Sequence, residues 1–164
     1  MIFLVRHAAG RHNETKDYDN PDFVDALLTV KGKEQAKSLR TNEELKNPDF
    51  VISSPLSRAF ETACLGFPES NIIIDPLCRE KCMFMCDRLR SEVIPGIMSE
   101  ETDEELMIRA KIFVDKLRQT KFQKLIVVTH GKFINAMLSA VAGKTEIGPT
   151  KYYKNIEIVK IHVL

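Results

Sequence analysis

The chain has 164 residues, of which 44% are hydrophobic and 29% are charged, and its formal net charge is +1. This length predicts one domain, residues 1–164, that is large enough to bury a sheet on both faces. A charge so close to zero argues against nucleic acid or an anionic membrane as a partner.

The sequence predicts no targeting or membrane segment. The first apolar run, Ile2–Val5, is too short for a signal peptide and is interrupted by Arg6. No other stretch approaches the roughly 18 apolar residues that a membrane span needs. Four cysteines are few for a disulfide framework, so we expect reduced thiols and a cytoplasmic protein. Nothing in the sequence predicts an oligomeric state.

Apolar runs alternate with helical patterns along the chain. Strands are predicted at Ile2–Arg6, Phe50–Ser53, Asn71–Asp75, Leu125–Thr129 and Ile156–Val163. Helices are predicted from a Thr29 cap to about Leu45, from Ser54–Pro55 to about Gly66, from a Thr102 capping box through Leu117, and from Gly131 to Val141 with Gly143 closing the last. This alternation predicts a three-layer α/β/α sandwich with a mostly parallel central sheet.

Charged side chains follow the predicted strands. Arg6 and His7 end the first strand, Arg58 follows the second, Glu80 follows the third, and His130 follows LIVVT. Each of these alone has an ordinary explanation, such as a structural histidine or a solvated arginine. Ligands of open parallel sheets bind beyond the carboxyl ends of the strands, so we expect all five side chains at one edge.

These residue types suit a phosphate group. Two arginines and the amides at helix starts form an anion pocket, and the small residue Gly131 lets a ligand approach the backbone. A histidine among cations stays neutral, so its free nitrogen can attack phosphorus. A nearby Glu can then protonate the leaving oxygen. The pattern predicts phosphoryl transfer through a phosphohistidine.

The chain resembles the histidine phosphatase superfamily, the phosphoglycerate mutase-like proteins. Five segments carry the resemblance, in the order expected for the family: VRHAAGRHN, DALLTVKGKEQA, VISSPLSRAFETA, LCRE and VVTHGKFI. They span nearly the whole chain. The resemblance implies a phosphoglycerate mutase-like fold and no cofactor or metal.

The resemblance also implies a role for each matching residue. His7 matches the nucleophile, Arg6 and Arg58 the phosphate-clamping arginines, His130 the second histidine that stabilises the transition state, Asn13 a polar residue of the phosphate pocket, and Glu80 the proton donor. Asp75 and Asp87 are alternative acids, although both look worse placed. Ala8 stands where the family usually has Gly, and this difference is a possible cause of altered substrate specificity.

Three functions fit these residues. Few residues separate Glu80 from the Thr102 cap, which leaves little material for a lid, and an open site favours hydrolysis. A phosphatase is therefore expected, with a phosphoglycerate mutase as the alternative and a catalytically silent phospholigand-binding module as the third. The expected partner is a small phosphorylated substrate, although a phosphoprotein also fits.

Three further features carry open interpretations. The basic residues Arg79, Lys81, Arg88 and Arg90 either bind a second anionic group of the substrate or form a solvated face. Cys78, Cys82 and Cys86 would share one face of a helix, but buried apolar thiols are favoured over a metal site. His12 is expected to hydrogen-bond within its own loop.

Overall fold

Five strands form one sheet in the computed structural model, which describes residues 1–92 and 100–162. They are β1 (Ile2–Arg6), β2 (Phe50–Ser53), β3 (Ile72–Ile74), β4 (Leu125–Thr129) and β5 (Ile158–Ile161). Their spatial order is β3-β2-β4-β1-β5. All neighbours are parallel except β5, which runs antiparallel to β1 at the edge.

Helices cover both faces of this sheet. They are α1 (Arg11–Thr15), α2 (Val30–Ser38), α3 (Ser57–Gly66), α4 (Asp103–Arg118) and α5 (Gly131–Val141). Helix α2 packs with α3, and α4 packs with α5. The predicted three-layer α/β/α sandwich with a mostly parallel sheet is confirmed. Among the described residues, no helix has the length and apolar character required to cross a bilayer.

Strand side chains alternate between two apolar cores. Ile2 and Leu4 of β1 point into the core that includes α4 and α5, whereas Phe3 and Val5 point into the core that includes α3. All four side chains are buried. Because successive residues of a strand face opposite sides, a continuous apolar run is what a sheet covered on both faces requires.

Side-chain caps begin two of the helices as predicted. The hydroxyl of Thr29 accepts a bond from the amide of Gly32 at 3.0 Å, which starts α2. Thr102 and Glu105 form the reciprocal capping box of α4, with bonds of 2.8 and 3.1 Å. These caps satisfy amides that have no partner within the first turn of a helix.

Several predicted boundaries are wrong. Helix α2 ends at Ser38, and two 3₁₀ turns, Leu39–Thr41 and Glu43–Leu45, replace its predicted last turns. Helix α3 begins at Ser57 rather than at Ser54–Pro55, because Leu56 has an extended backbone with φ of −64° and ψ of 131°.

The ends of the sheet and its connections also differ from the prediction. Strand β5 begins at Ile158, since Ile156 has a left-handed backbone with φ of 55°. Val163, its predicted last residue, lies outside the described residues. The stretch that carries Cys78, Cys82 and Cys86 is not one helix but contains two separate 3₁₀ turns, Pro76–Cys78 and Met85–Asp87.

Candidate active site

A pocket of about 360 Å³ is lined by residues that follow the carboxyl ends of β1, β2, β3 and β4. The predicted site residues that line it are Arg6, His7, Asn13, Arg58, Glu80 and Gly131. The remaining one, His130, is fully buried beside the pocket, with its ring centroid 5.0 Å from that of His7. The fold therefore brings together side chains that are up to 125 positions apart along the chain.

The ring of His7 is held in one tautomer. Its Nδ1 lies 2.7 Å from the carbonyl oxygen of Ala8, which can only accept, so Nδ1 carries the proton. The other nitrogen, Nε2, is then the acceptor for Arg58 Nε at 3.3 Å. The lone pair of Nε2 is therefore presented to the guanidinium group that stands in the pocket.

The charge state of His7 follows from its surroundings. Burial lowers its pKa well below the usual value of 6.5, and the positive charges of Arg58 and Arg6 lower it further. His130 is neutral for the same reasons, because burial and then Arg58 hold its pKa well below the usual value. Both imidazoles are uncharged at neutral pH, so each keeps a nitrogen lone pair.

Arg58 forms a buried ion pair that sequence reasoning missed. Its Nη2 lies 3.0 Å from Asp87 Oδ1, and its Nη1 donates to the carbonyl of Cys86 at 2.6 Å. The Arg58 side chain is only 2% exposed. Asp87, treated above as a poorly placed acid, therefore lines the pocket, whereas Asp75 binds Lys116 at 2.6 Å and does not line it.

One nitrogen of the Arg6 guanidinium group is hydrogen-bonded, whereas another has no partner in the described part of the chain. Its Nη1 donates to the carbonyl of Tyr153, and its guanidinium lies 5.1 Å from the centroid of the Tyr152 ring. Its Nε is buried without a partner in the described part of the chain, and so is Nδ1 of His130. Buried polar atoms are normally paired, so two unpaired ones beside a cationic pocket indicate a site that binds a ligand with oxygen atoms.

Glu80 caps helix α5. Its carboxylate accepts from the amide of Phe133 at 3.2 Å, from that of Lys132 at 3.4 Å and from that of Lys81 at 3.0 Å. Burial raises the pKa of Glu80, and the charge of Asp87 adds to this, while Arg58 and the amides act in the opposite direction. Two amides of α5 that were expected to face a phosphate therefore bind this carboxylate instead.

The loop after β1 is fixed from several sides. The amide of Ala8 donates to Thr62 Oγ1 at 3.0 Å, and the amide of Gly10 donates to Asn13 Oδ1 at 3.1 Å. The methyl group of Ala8 packs in a small cluster with Leu28 and Ala36 and does not line the pocket. The structure gives no support for a change in specificity caused directly by this alanine.

Gly32 on helix α2 lets the helix approach this loop. A β-carbon at position 32 would lie 2.0 Å from the carbonyl oxygen of Ala9, which is closer than a β-carbon can approach an atom to which it is not bonded. The same carbonyl accepts from the amide of Thr29 at 3.0 Å. Only glycine therefore permits the bonds that hold the loop behind His7.

His12 does not form the loop hydrogen bond expected of it. It is 4% exposed, it lines the pocket, and its Nδ1 is buried with no partner in the part of the chain that the structure describes. Burial lowers the pKa of His12 to about 3, with further contributions from Arg58 and Arg6. His12 is therefore a neutral ring in the wall of the pocket.

Sequence reasoning also missed residues of three connecting segments. They are Tyr18 after α1, Phe84 before the Met85–Asp87 turn, and Lys151 before β5. No periodic pattern marks them, because each is placed by the path of an irregular segment.

The basic set Arg79, Lys81, Arg88 and Arg90 does not line the pocket. Lys81, for example, binds Asp103 at 2.6 Å. The basic side chains that do line it are Arg6, Arg58, Lys132 and Lys151. Of the two interpretations left open for this basic set, binding a second anionic group of the substrate is not supported, and such a group would meet Lys132 or Lys151 instead.

The cysteines form no metal site among the described residues. No group of three or more potential ligands is found in residues 1–92 and 100–162. Cys78 and Cys86 are buried, and burial raises the pKa of Cys86 to about 12. Both thiols are protonated at neutral pH. Cys78 packs as a small apolar side chain in the core that includes α4 and α5, whereas Cys86 lines the pocket with its Sγ 3.6 Å from Asp87 Oδ1.

Comparison with known proteins adds a family and a fold. A family model described as histidine phosphatase superfamily (branch 1) matches residues 2–162. The chain is 30% identical to phosphoglycerate mutase-like protein 1 of Arabidopsis thaliana, over 85% of this chain and 71% of that protein.

Solved structures share the fold. A mutant phosphoserine phosphatase of Entamoeba histolytica in complex with phosphoserine matches with a TM-score of 0.72 at 20% identity, covering 96% of this chain and 87% of that one. The alpha-ribazole phosphatase of Shigella flexneri matches with a TM-score of 0.71 at 21% identity, covering 87% of this chain and 80% of that one.

Proposed function

Because the chain belongs to the histidine phosphatase superfamily, we propose that it is a phosphatase that hydrolyses phosphomonoesters through a covalent phosphohistidine on His7. The observation that carries the proposal is the state of that ring. Its Nδ1 is bound to the Ala8 carbonyl, and its unprotonated Nε2 faces the guanidinium of Arg58. When Arg58 Nε–H donates to a phosphoryl oxygen of the substrate instead of to Nε2, the lone pair of this neutral imidazole is released to attack phosphorus.

In the first half-reaction, Nε2 of His7 attacks phosphorus and the bond from phosphorus to the ester oxygen breaks. The proton of Glu80 passes to that oxygen, so the product leaves as a neutral alcohol. Arg6, Arg58 and the ring of His130 stabilise the charge on the phosphoryl oxygens. The raised pKa of Glu80 supports this role, because it favours the protonated form that a general acid needs.

In the second half-reaction, the carboxylate of Glu80 takes a proton from water. The water oxygen bonds to phosphorus as the bond from His7 Nε2 to phosphorus breaks. Inorganic phosphate leaves, His7 is again neutral, and Glu80 again carries the proton. One carboxyl group thus serves as acid and then as base, and the cycle needs no metal or cofactor.

Arg58 shares its charge between Asp87 and the substrate in this scheme. The buried Asp87 holds the guanidinium at 3.0 Å, so Arg58 does not have to be ordered when a phosphate binds. An arginine has five donors, so Arg58 can keep its bond to Asp87 and still donate to a phosphoryl oxygen.

A small phosphorylated molecule is the expected substrate. The similar solved structures include a phosphoserine phosphatase with phosphoserine bound and an alpha-ribazole phosphatase. A pocket of about 360 Å³ has the size of typical small-molecule sites. We propose that residues 1–164 form one catalytic domain, and the cytoplasmic location stays a prediction from cysteine usage.

A phosphoglycerate mutase is the second candidate, which the name of the Arabidopsis relative favours. A mutase would pass the phosphoryl group from His7 back to the sugar acid rather than to water. The two functions therefore share the first half-reaction and differ only in the acceptor.

A panel of phosphate esters tests the proposal. Aryl phosphate, phosphoserine, 3-phosphoglycerate and a phosphopeptide are incubated with the protein, and both inorganic phosphate and isomerised phosphoglycerate are measured. We expect phosphate release that is lost in His7→Ala and kept in His162→Ala, a matched change at an exposed histidine outside the pocket. Isomerisation without release would establish the mutase, and phosphate binding without any turnover would establish the silent module.

A further inference from the structure

A row of aromatic rings runs from His7 along the pocket. The ring centroids of His7 and His12 lie 5.9 Å apart, those of His12 and Tyr18 6.0 Å, and those of Tyr18 and Phe84 5.5 Å. All four residues line the pocket. The wall formed by His12, Tyr18 and Phe84, here called the ring wall, therefore begins next to the proposed nucleophile.

The outer part of the ring wall is not part of the protein core. Phe84 is half-buried and belongs to none of the apolar clusters found in the described residues. Tyr18 is also half-buried. Aromatic side chains are normally placed where their large apolar area is removed from water. In a pocket, that area is covered when a ligand binds.

The ring wall is held at a fixed position relative to the phosphate clamp. The amide of Phe84 donates to Asp87 Oδ2 at 3.2 Å, and the other oxygen of Asp87 binds Arg58. The amide of Cys86 donates to the carbonyl of Tyr18 at 3.2 Å. The same carboxylate thus positions an arginine at the phosphate site and a phenylalanine of the ring wall.

His12 contributes a neutral ring to this wall. With a pKa of about 3, it carries no charge at neutral pH and does not attract the phosphoryl group away from His7. Because His12 is only 4% exposed, its ring contacts are with His7 and Tyr18, and it links the half-buried Tyr18 and Phe84 to the proposed nucleophile.

Resting on the proposed phosphatase function, we propose that the preferred substrates are phosphomonoesters whose alcohol carries an aromatic ring, which packs on the ring wall at Tyr18 and Phe84. The phosphoryl group lies against His7 and Arg58, and the ring wall binds the leaving group. Substrates with short polar alcohols leave this apolar surface in contact with water and are expected to react less efficiently.

Alkyl esters of similar intrinsic reactivity test this preference. Ethyl, cyclohexylmethyl and benzyl phosphate release alcohols of similar acidity, so their kcat/KM values compare binding of the leaving group rather than its chemistry. We expect benzyl phosphate to exceed ethyl phosphate by about tenfold and to exceed cyclohexylmethyl phosphate, which has comparable bulk but no aromatic face. Equal values for benzyl and ethyl phosphate, or for benzyl and cyclohexylmethyl phosphate, would overturn the proposal.

Leucine variants test whether Phe84 and Tyr18 cause the preference for benzyl over ethyl phosphate. Phe84→Leu and Tyr18→Leu keep apolar bulk and remove the ring, so each should reduce the ratio of benzyl to ethyl phosphate several-fold. Phe60→Leu is the matched control, because Phe60 is a partly exposed phenylalanine outside the pocket. A ratio that is unchanged in both pocket variants would also overturn the proposal.

Non-hydrolysable ligands separate this proposal from the proposed function. If ethyl and benzyl phosphate are not turned over, the phosphatase function fails, but benzylphosphonate and ethylphosphonate can still be compared by calorimetry. Tighter binding of benzylphosphonate by about tenfold, reduced in Phe84→Leu, supports the ring wall. Equal binding of the two phosphonates contradicts it, whatever the enzymatic result.

Discussion

Acidification should destabilise the fold through His12. Burial lowers the pKa of this imidazole to about 3 in the folded chain, whereas an exposed histidine titrates near 6.5. Between these two values, the unfolded chain carries a proton on His12 that the folded chain does not. Stability is therefore greatest above the unfolded pKa and is lost as the pH falls below it.

The size of the effect follows from the same values. At a pH of about 5, the unfolded pKa lies about 1.5 units above the pH, which at 1.36 kcal/mol per unit gives a loss of about 2 kcal/mol from His12 alone. This figure does not depend on the folded pKa as long as that value stays well below 5. The charged groups near His12 include Arg58 and Arg6, and both lower its pKa and so favour the neutral ring.

Urea unfolding at about pH 7.5 and about pH 5 measures this loss in the wild type and in His12→Phe. The variant keeps a ring but cannot titrate, so its loss should be about 2 kcal/mol smaller than that of the wild type. Because each protein is compared with itself at the two pH values, the packing cost of the substitution cancels. His162→Phe, at an exposed histidine, is the control that should lose as much as the wild type. An equal loss in His12→Phe would refute the assignment of a buried neutral ring.

Three further changes test the site. Glu80→Gln removes the proposed acid, so kcat/KM for alkyl phosphates, which reports the first half-reaction, should fall by about 10²–10⁴-fold. The fall in kcat/KM should be much smaller for p-nitrophenyl phosphate, whose leaving group needs no proton, and equal falls would point to another acid. Gly32→Ala places a β-carbon 2.0 Å from a backbone oxygen and should lower the free energy of unfolding by about 3 kcal/mol or more. Gly131→Ala is the control: its β-carbon meets its nearest atoms at 3.9 Å, so it should lower the free energy of unfolding by less than about 1 kcal/mol. Asp87→Ala breaks the buried pair with Arg58 and should cost about 3–5 kcal/mol, and inorganic phosphate should then stabilise the variant more than the wild type. Equal stabilisation by phosphate would show that Arg58 is not the anion-binding group.

The parts of the fold that follow periodic patterns were predictable. Continuous apolar strands such as LIVVT, alternating with helices, predicted the layers, and the crossover rule placed His7 and His130 at the same edge. Helix α1 was missed because it has only five residues and depends on contacts outside itself, such as the bond from the Arg11 amide to the carbonyl of Leu27 at 3.0 Å.

The missed side chains of the pocket share one physical reason. Asp87, Tyr18 and Phe84 lie on irregular segments, where no period of 2 or 3.6 residues sets the direction of a side chain. Their positions come from long-range bonds, such as that from Asp87 to Arg58, which no local pattern reveals. Gly32 was overlooked for a similar reason, since its close contact with the Ala9 carbonyl joins two segments that are distant in sequence.

The most direct test of the account is to trap the phosphoenzyme. A phosphate ester labelled in its phosphoryl group is mixed with the protein, and the reaction is quenched within milliseconds in alkali or in acid. We expect a labelled protein that keeps its label in alkali and loses it in acid, as a nitrogen–phosphorus bond does, with the label on His7 and absent from His7→Ala. A label that survives acid but not alkali, or one that persists in His7→Ala, would refute a phosphohistidine on His7.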